Sequence, residues 1–291
     1  MPTDIPPYAL ALTAAFMFAF GGQLQHIGLQ TLGARSGTML SIGTNCLVYW
    51  LVAPWVLVPE YFLEITVLIF VLVGLVRPAL SANLSVAAIR HVGPTLTTAL
   101  SATSPLFGAG FGILLLGEML TWQITLGTFG IMLAIFALTR RNKKIPSTWP
   151  LWALGLPIAA AMIRSGAHAM TKIGMETIPD PYFAGLVGST VSFAVTGGLW
   201  LATRKTSPID PKSPGPYWFL VAGFFFGIAV LALNMALLQG DIITVIPIVA
   251  ASPIFSLLLS IFIFRRETLS PQLFVAIALV VPSVVLIALS Q

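Results

Sequence analysis

The sequence predicts an all-α integral membrane protein: ten transmembrane helices, arranged as two inverted five-helix repeats. Three observations predict it. The first is composition. Of the 291 residues, 57% are hydrophobic and only 8% charged, with a mean hydropathy of +0.98. Soluble domains carry about 25% charged residues, and a water-soluble fold of this size could not hide so much apolar surface. The second is the length of the apolar runs. A spanning helix needs about 20 predominantly apolar residues. Runs of that kind fall near 8–32, 37–58, 63–89, 94–116, 121–139, 149–174, 181–202, 216–238, 242–264 and 270–289. They are too long and continuous for barrel strands, which are shorter and alternate. The third is that the chain repeats itself.

"QHIGLQTL" at 25–32 and "TKIGMETI" at 171–178 bring Ile27–Gly28 onto Ile173–Gly174 and Thr31 onto Thr177, an offset of 146. "ATSPLF" at 102–107 recurs as "AASPIF" at 250–255, an offset of 148. The pattern E-x-L-T-x-Q from Glu118 returns as "ETLSPQ" from Glu267, an offset of 149. Three segments that keep their order and nearly their spacing indicate homologous halves, 1–145 and 146–291, of five spans each. Because five is odd, the second half enters the membrane upside-down. That is the arrangement of many secondary transporters, which exchange two related states around a central site.

Taken in order, the first segment has no Lys or Arg before its apolar stretch and carries Asp4. This argues for a first transmembrane helix rather than a cleaved signal peptide. The spans are then separated by turn and charge signals: "GARSG" at 33–37, "RHVGP" at 90–94, "GEMLTW" at 117–122, "RRNKKIPS" at 140–147, "PDP" at 179–181, "RKTSPIDPKSPGP" at 204–216, "QGD" at 239–241 and "RRETLSPQ" at 265–272. Only 140–148 and 203–216 are long and polar, which leaves no room for a soluble catalytic domain. Ser104-Pro105 and Ser252-Pro253 fall inside the fourth and ninth spans. There they are expected to kink or loosen the helix and to offer hinges. "GAGFG" at 108–112 and "GFFFG" at 223–227 read as small-residue faces that let helices approach. Most tryptophans sit near span ends, as an interfacial belt requires.

The stretch "NLSVAAIRHVGPTLTTALSATSPLFGAGFGILLLGEMLTW" resembles the EamA-type, ten-span branch of the drug/metabolite transporter superfamily. The matching features are the end of span three, a short turn, the Ser-Pro of span four and the Gly-Glu turn before span five. The second half repeats them with "AASPIF" and "RRE", where Arg266 replaces the glycine of the Gly-Glu turn. Within the branch, the chain looks most like bacterial amino-acid exporters of the YddG type. The resemblance implies a monomeric carrier in a bacterial inner membrane, exporting small metabolites by alternating access around a central cavity. Amino acids, aromatic ones included, are the expected cargo. Other readings of the same fold are a multidrug, nucleotide-sugar or phosphometabolite transporter; a channel or an intramembrane enzyme would be of another class.

No H-E-x-x-H, G-x-S-x-G or Walker loop is present, the lone Cys46 lacks companion ligands, and no basic tract tracks a nucleic acid. No enzyme activity and no cofactor are expected; the partners are a small-molecule substrate and the bilayer. Intramembrane charge is the sharper signal, since insertion scales put its cost on the order of 2.5–3.5 kcal/mol. Arg77 lies in the third span and Arg164 in the sixth. Each must face a polar cavity, backbone carbonyls at a kink, or the interface. Facing a cavity, a guanidinium fork suits a substrate carboxylate or phosphate. His168 follows Arg164 by four residues and shares its helix face. Asn45, Asn83 and Asn234 are further mid-span candidates for a substrate site, with helix-to-helix hydrogen bonding as their alternative. His26 and its repeat counterpart Lys172 read as helix-end residues. All nine carboxylates lie in loops or at span ends, so proton antiport on a buried carboxylate is not expected. Of the fourteen Lys and Arg, all but Arg77, Arg164 and Lys172 lie beside odd-numbered loops. The positive-inside rule therefore places both termini outside the cytoplasm, the reverse of what the resemblance implies.

Overall fold

The computed structural model describes residues 5–77, 80–81, 84, 87–88, 91–92, 97, 100–139, 151–203, 208–266 and 271–290. Asn83, Glu267 and the long connection at 140–150 lie outside them. Every long element is a helix: α1 (Pro7–Gly28), α2 (Ala34–Val56), α3 (Val67–Val76), α4 (Ser104–Leu116), α5 (Trp122–Thr139), α6 (Gly155–Thr177), α7 (Pro181–Thr203), α8 (Gly215–Gln239), α9 (Ile242–Ala250), α10 (Ser252–Phe262) and α11 (Pro271–Ala288). Five of these, and α9 with α10 taken as one unit, are long and apolar enough to cross a membrane; α3, α4 and α5 are shorter apolar helices.

The punctuation of the sequence explains the helix ends. Pro7 opens α1, where its missing N–H costs nothing. Asp180 caps α7: its Oδ1 accepts from the backbone N–H of Tyr182 at 2.9 Å and of Phe183 at 3.0 Å. The Ser-Pro pairs act as expected. Ala251 breaks the ninth apolar run, and α10 restarts at Ser252 with Pro253 in its first turn. In the fourth run, α4 likewise starts at Ser104, directly after a turn at 102–103.

The two halves are interleaved rather than set side by side. The most extensive contacts all join a helix of the first half to one of the second: α1 with α8, α5 with α11, α2 with α8 and α7, α4 with α6, and α3 with α7. Exchanging the halves maps this pattern onto itself. The pair α1–α8 becomes α6–α3, α4–α6 becomes the contact of α9 and α10 with α1, and α5–α11 is its own image.

Side chains repeat the symmetry. A Cβ on Gly28 of α1 would lie 2.6 Å from the ring of Phe219, and one on Gly174 of α6 would lie 2.6 Å from the ring of Phe70. Phe219 and Phe70 are both buried. The "IG" shared by 27–28 and 173–174 therefore has a cause: each glycine receives a phenylalanine from the other half. Gly223 of α8 also packs against the backbone of Ser41, so any side chain there would clash.

The Gly-Glu turn corrects one expectation. Gly117 sits at φ 66°, and the N–H of Glu118 reaches back to the carbonyl of Gly112 at 3.0 Å. In the second half the positive φ falls on Arg265, at 50°, and it is Arg266 that reaches back, to Ser260 at 2.8 Å. The structural equivalence thus runs at the 148 offset of the Ser-Pro segments. Arg265, not Arg266, stands where the first half has glycine, and Arg266 stands where it has Glu118.

Candidate functional site

A cavity of about 530 Å³ lies between the halves. The Ser-Pro breaks form part of its wall, with Ser101, Ala102 and Ser104 on one side and Ala250, Ser252 and Pro253 on the other. Broken helices suit such a place, because irregular backbone at membrane depth is tolerated where it borders a cavity. Ser165 of α6 ties the first break down: its hydroxyl donates to the Ser104 carbonyl at 2.8 Å and lies 3.0 Å from the Ser104 hydroxyl.

Arg77, Arg164, His168, Asn45 and Asn234 all line the cavity. Arg77 ends α3, where helical backbone holds it near the middle of the third apolar run. Arg164 and His168 project from α6 one turn apart. Both guanidiniums are half-buried, and neither has a side-chain hydrogen bond or ion pair among the described residues. They lie close enough to act electrostatically on each other and on His168. His168 is buried, and its Nδ1 has no hydrogen-bond partner there. Asn45 Oδ1 is a second buried polar atom without one.

The candidates do not all have the same freedom. Asn234 Nδ2 donates to the carbonyl of Pro181 at 3.1 Å, so one of its donors already holds the start of α7. Gln23 is bound to Ser256, at 2.8 Å to its carbonyl and 2.9 Å to its hydroxyl. Gln25 donates to Ser41 at 3.1 Å. Both glutamines fasten helices together and do not line the cavity. Among the described residues no group of His, Cys, Asp or Glu could hold a metal ion. No carboxylate lines the cavity either.

One cluster escaped the sequence reading. Lys172, expected to be a plain helix-end residue, forms an ion pair with Glu118 at 2.8 Å, and their side chains are only 16% and 5% exposed. Its ammonium also donates to the Gly240 carbonyl at 2.8 Å and lies 3.5 Å from Asp241. The same Glu118 carboxylate accepts from the backbone N–H of Ile242 at 2.8 Å and of Ile243 at 3.0 Å, the first two residues of α9. A carboxylate at a helix N-terminus satisfies free N–H groups and complements the helix dipole. The visible signal was the Gly-Glu turn. Its destination, across 54 residues to Lys172 and 124 to Ile242, was not.

An interleaved helical fold of long apolar helices, with broken helices around a cavity that bears two arginines, defines a polytopic membrane protein. The chain belongs to the EamA-like transporter family, whose domain matches twice, at residues 5–140 and 150–289. Members of that family are transporters rather than enzymes. One solved crystal structure superposes with a TM-score of 0.80 at 16% identity, covering 96% of this chain and 95% of its own; this likeness concerns the fold. Comparison with curated proteins finds no match.

Proposed function

We propose that this protein is an alternating-access carrier that exports small carboxylate-bearing metabolites, with amino acids, aromatic ones included, as the foremost cargo. In this reading ten spans form two inverted five-span repeats in a bacterial inner membrane, and one chain suffices to enclose the site. The observation that carries it is the pair of guanidiniums on the interdomain cavity with no acceptor from the described residues. A cation held at membrane depth needs water, carbonyls or an anion. A substrate carboxylate supplies the anion, and two forks can read it. The remaining wall is mostly apolar, with Phe18, Leu233, Ile246 and Val249 among its members. Such a wall houses a side chain without reading it, which suits a broad range of amino acids.

A second reading has its own observation. An amino acid also brings an ammonium, and among the described residues no carboxylate lines the cavity to receive it. A phosphorylated or otherwise doubly anionic metabolite would use both arginines and need no acid. The test is reconstitution in liposomes with a panel of labelled amino acids, dicarboxylates, sugar phosphates and cationic drugs. Saturable flux of amino acids or other organic anions supports a carrier of this class. Flux confined to cations, or flux that never saturates, refutes it.

A further inference from the structure

Lys172 completes a row. Arg164, His168 and Lys172 are spaced four residues apart along α6, so they share one face, with about 12 Å of rise between the first and last. Arg164, His168 and Thr171 line the cavity; Lys172 lies one residue beyond. The row thus leads from the cavity toward the membrane face that bears the loops at 117–121, 178–180 and 240–241. Midway along it stands the buried, unpartnered Nδ1 of His168.

At the end of the row is a finished carboxylate site. The Lys172 ammonium and the N–H groups of Ile242 and Ile243 converge on two oxygens. All three donors belong to the second half of the chain, whereas the occupant, Glu118, belongs to the first. The occupant is a close fit: a Cβ on Gly112 would lie 2.5 Å from its Oε2, so only glycine leaves room for the carboxylate to fold back. The pseudo-equivalent positions are not arranged this way. Arg266 stands at the place of Glu118, and His26, the counterpart of Lys172, is exposed. One mouth is therefore tied by a buried ion pair, and the tie has no copy among the described residues of the other.

We propose that Lys172 and the N-terminus of α9 form a second carboxylate-binding station on the path out of the cavity. Glu118 fills it while this mouth is shut, and the substrate's carboxylate fills it when the mouth opens. The proposal rests on the carrier reading: opening this side moves the end of α4 and its Glu118 away from α6 and α9, whose donors stay behind. Asp241, 59% exposed, remains beside Lys172 and is too hydrated to replace a buried partner. The departing anion then passes from Arg164 to Lys172 without crossing an uncompensated stretch.

Two measurements on the full chain in nanodiscs test this. The first uses Glu118→Ala, which empties the station, with acetate as the probe and acetamide as its neutral match. At 100 mM, acetate should raise the Tm of this variant, relative to acetamide, by about 2–4 °C more than it does in the parent, where only the cavity arginines are open to it. Combining Glu118→Ala with Lys172→Met should return the difference to the parent's value. An excess no larger than the parent's, or one that persists without Lys172, overturns the station. The second places spin labels at Met119 and Glu176, both exposed, in a Cys46→Ser background. Glu118→Gln and Lys172→Met should each shift the distance distribution to longer values, and Lys172→Arg should keep it. An unchanged distribution in both overturns the tie; this arm also serves if Glu118→Ala does not fold. The acetate measurement needs no transport, so a parent without solute flux refutes the carrier reading separately from the station.

Discussion

Replacing Arg164 or Arg77 by alanine separates a substrate-reading arginine from a structural one, because the two roles predict opposite signs for stability. Neither guanidinium has a side-chain partner among the described residues. Removing it therefore strands no protein acceptor, and it relieves a membrane-depth charge whose insertion cost is on the order of 2.5–3.5 kcal/mol. The Tm of each alanine variant should be unchanged or raised. Binding should suffer instead. Hydrogen bonds to a charged group contribute about 1.5–3 kcal/mol. At 1.4 kcal/mol per decade, the apparent substrate constant should rise about 10- to 150-fold. Arg164→Lys should fall between, since an ammonium keeps the charge and loses the fork. The assay is saturable uptake into liposomes beside thermal unfolding of the same preparation. The double variant sharpens it. If both arginines read one carboxylate, their effects are non-additive; if each reads its own anionic group, the effects add. Unchanged transport constants, or a marked loss of Tm, would show that the arginine does not read the substrate.

Three further outcomes are expected. Gly174→Ala should overpack against Phe70 and lower stability by about 1–3 kcal/mol, with Phe70→Leu restoring part of the loss; equal Tm values for Gly174→Ala and the parent would remove the interlocking account. With no carboxylate on the cavity among the described residues, uptake down a substrate gradient should continue when the pH gradient is collapsed by an ionophore; complete loss of flux would contradict this and direct attention to His168. Reporter fusions should read Lys143 as cytoplasmic and Gln291 as external, following the charge bias; cytoplasmic activity at Gln291 would reverse the orientation.

The residues that were legible in the sequence share a property: their meaning is local or is repeated. Ser104-Pro105 and Ser252-Pro253 announce a break through proline's missing donor, and both helices do restart there. Arg77 and Arg164 stand out because a charge in an apolar run is costly wherever it points. The repeated glycine at 28 and 174 was visible as a pattern, but its cause was not. Phe219 and Phe70 are distant in sequence, and one phenylalanine among nineteen carries no mark. The partners of Glu118 were hidden for a related reason. A glutamate after a glycine turn looks solvated, and only the packing of α9 beside α4 brings an anion-binding helix end to it. The register of the second turn was missed by one residue, because the sequence match at Glu267 favours 149 while the backbone repeats at 148.

Symmetry and its breach divide the work in this fold. The packing that must survive any rearrangement is duplicated: Gly28 with Phe219, Gly174 with Phe70, and the paired Ser-Pro breaks on the cavity wall. A carrier that exchanges two related states needs such duplication, since each state uses in one half what the other uses in its partner. The polar elements are not duplicated. Arg164 of α6 falls at the position of Phe18 in α1, His168 at Gly22, and Lys172 at His26. Among the described residues the cationic row therefore runs along α6, from the cavity toward one face, and the ion pair of Glu118 with Lys172 lies at its end. Toward the opposite mouth, where most Lys and Arg lie beside the loops, the equivalent positions of α1 are Phe18, Gly22 and His26, so α1 carries no such row. On the proposed reading, the two faces offer different binding strengths to the same solute. An unequal pair of apparent constants for inward and outward flux would follow, and Lys172→Met should bring them closer together. Equal constants in the parent protein would show that the row plays no part in transport.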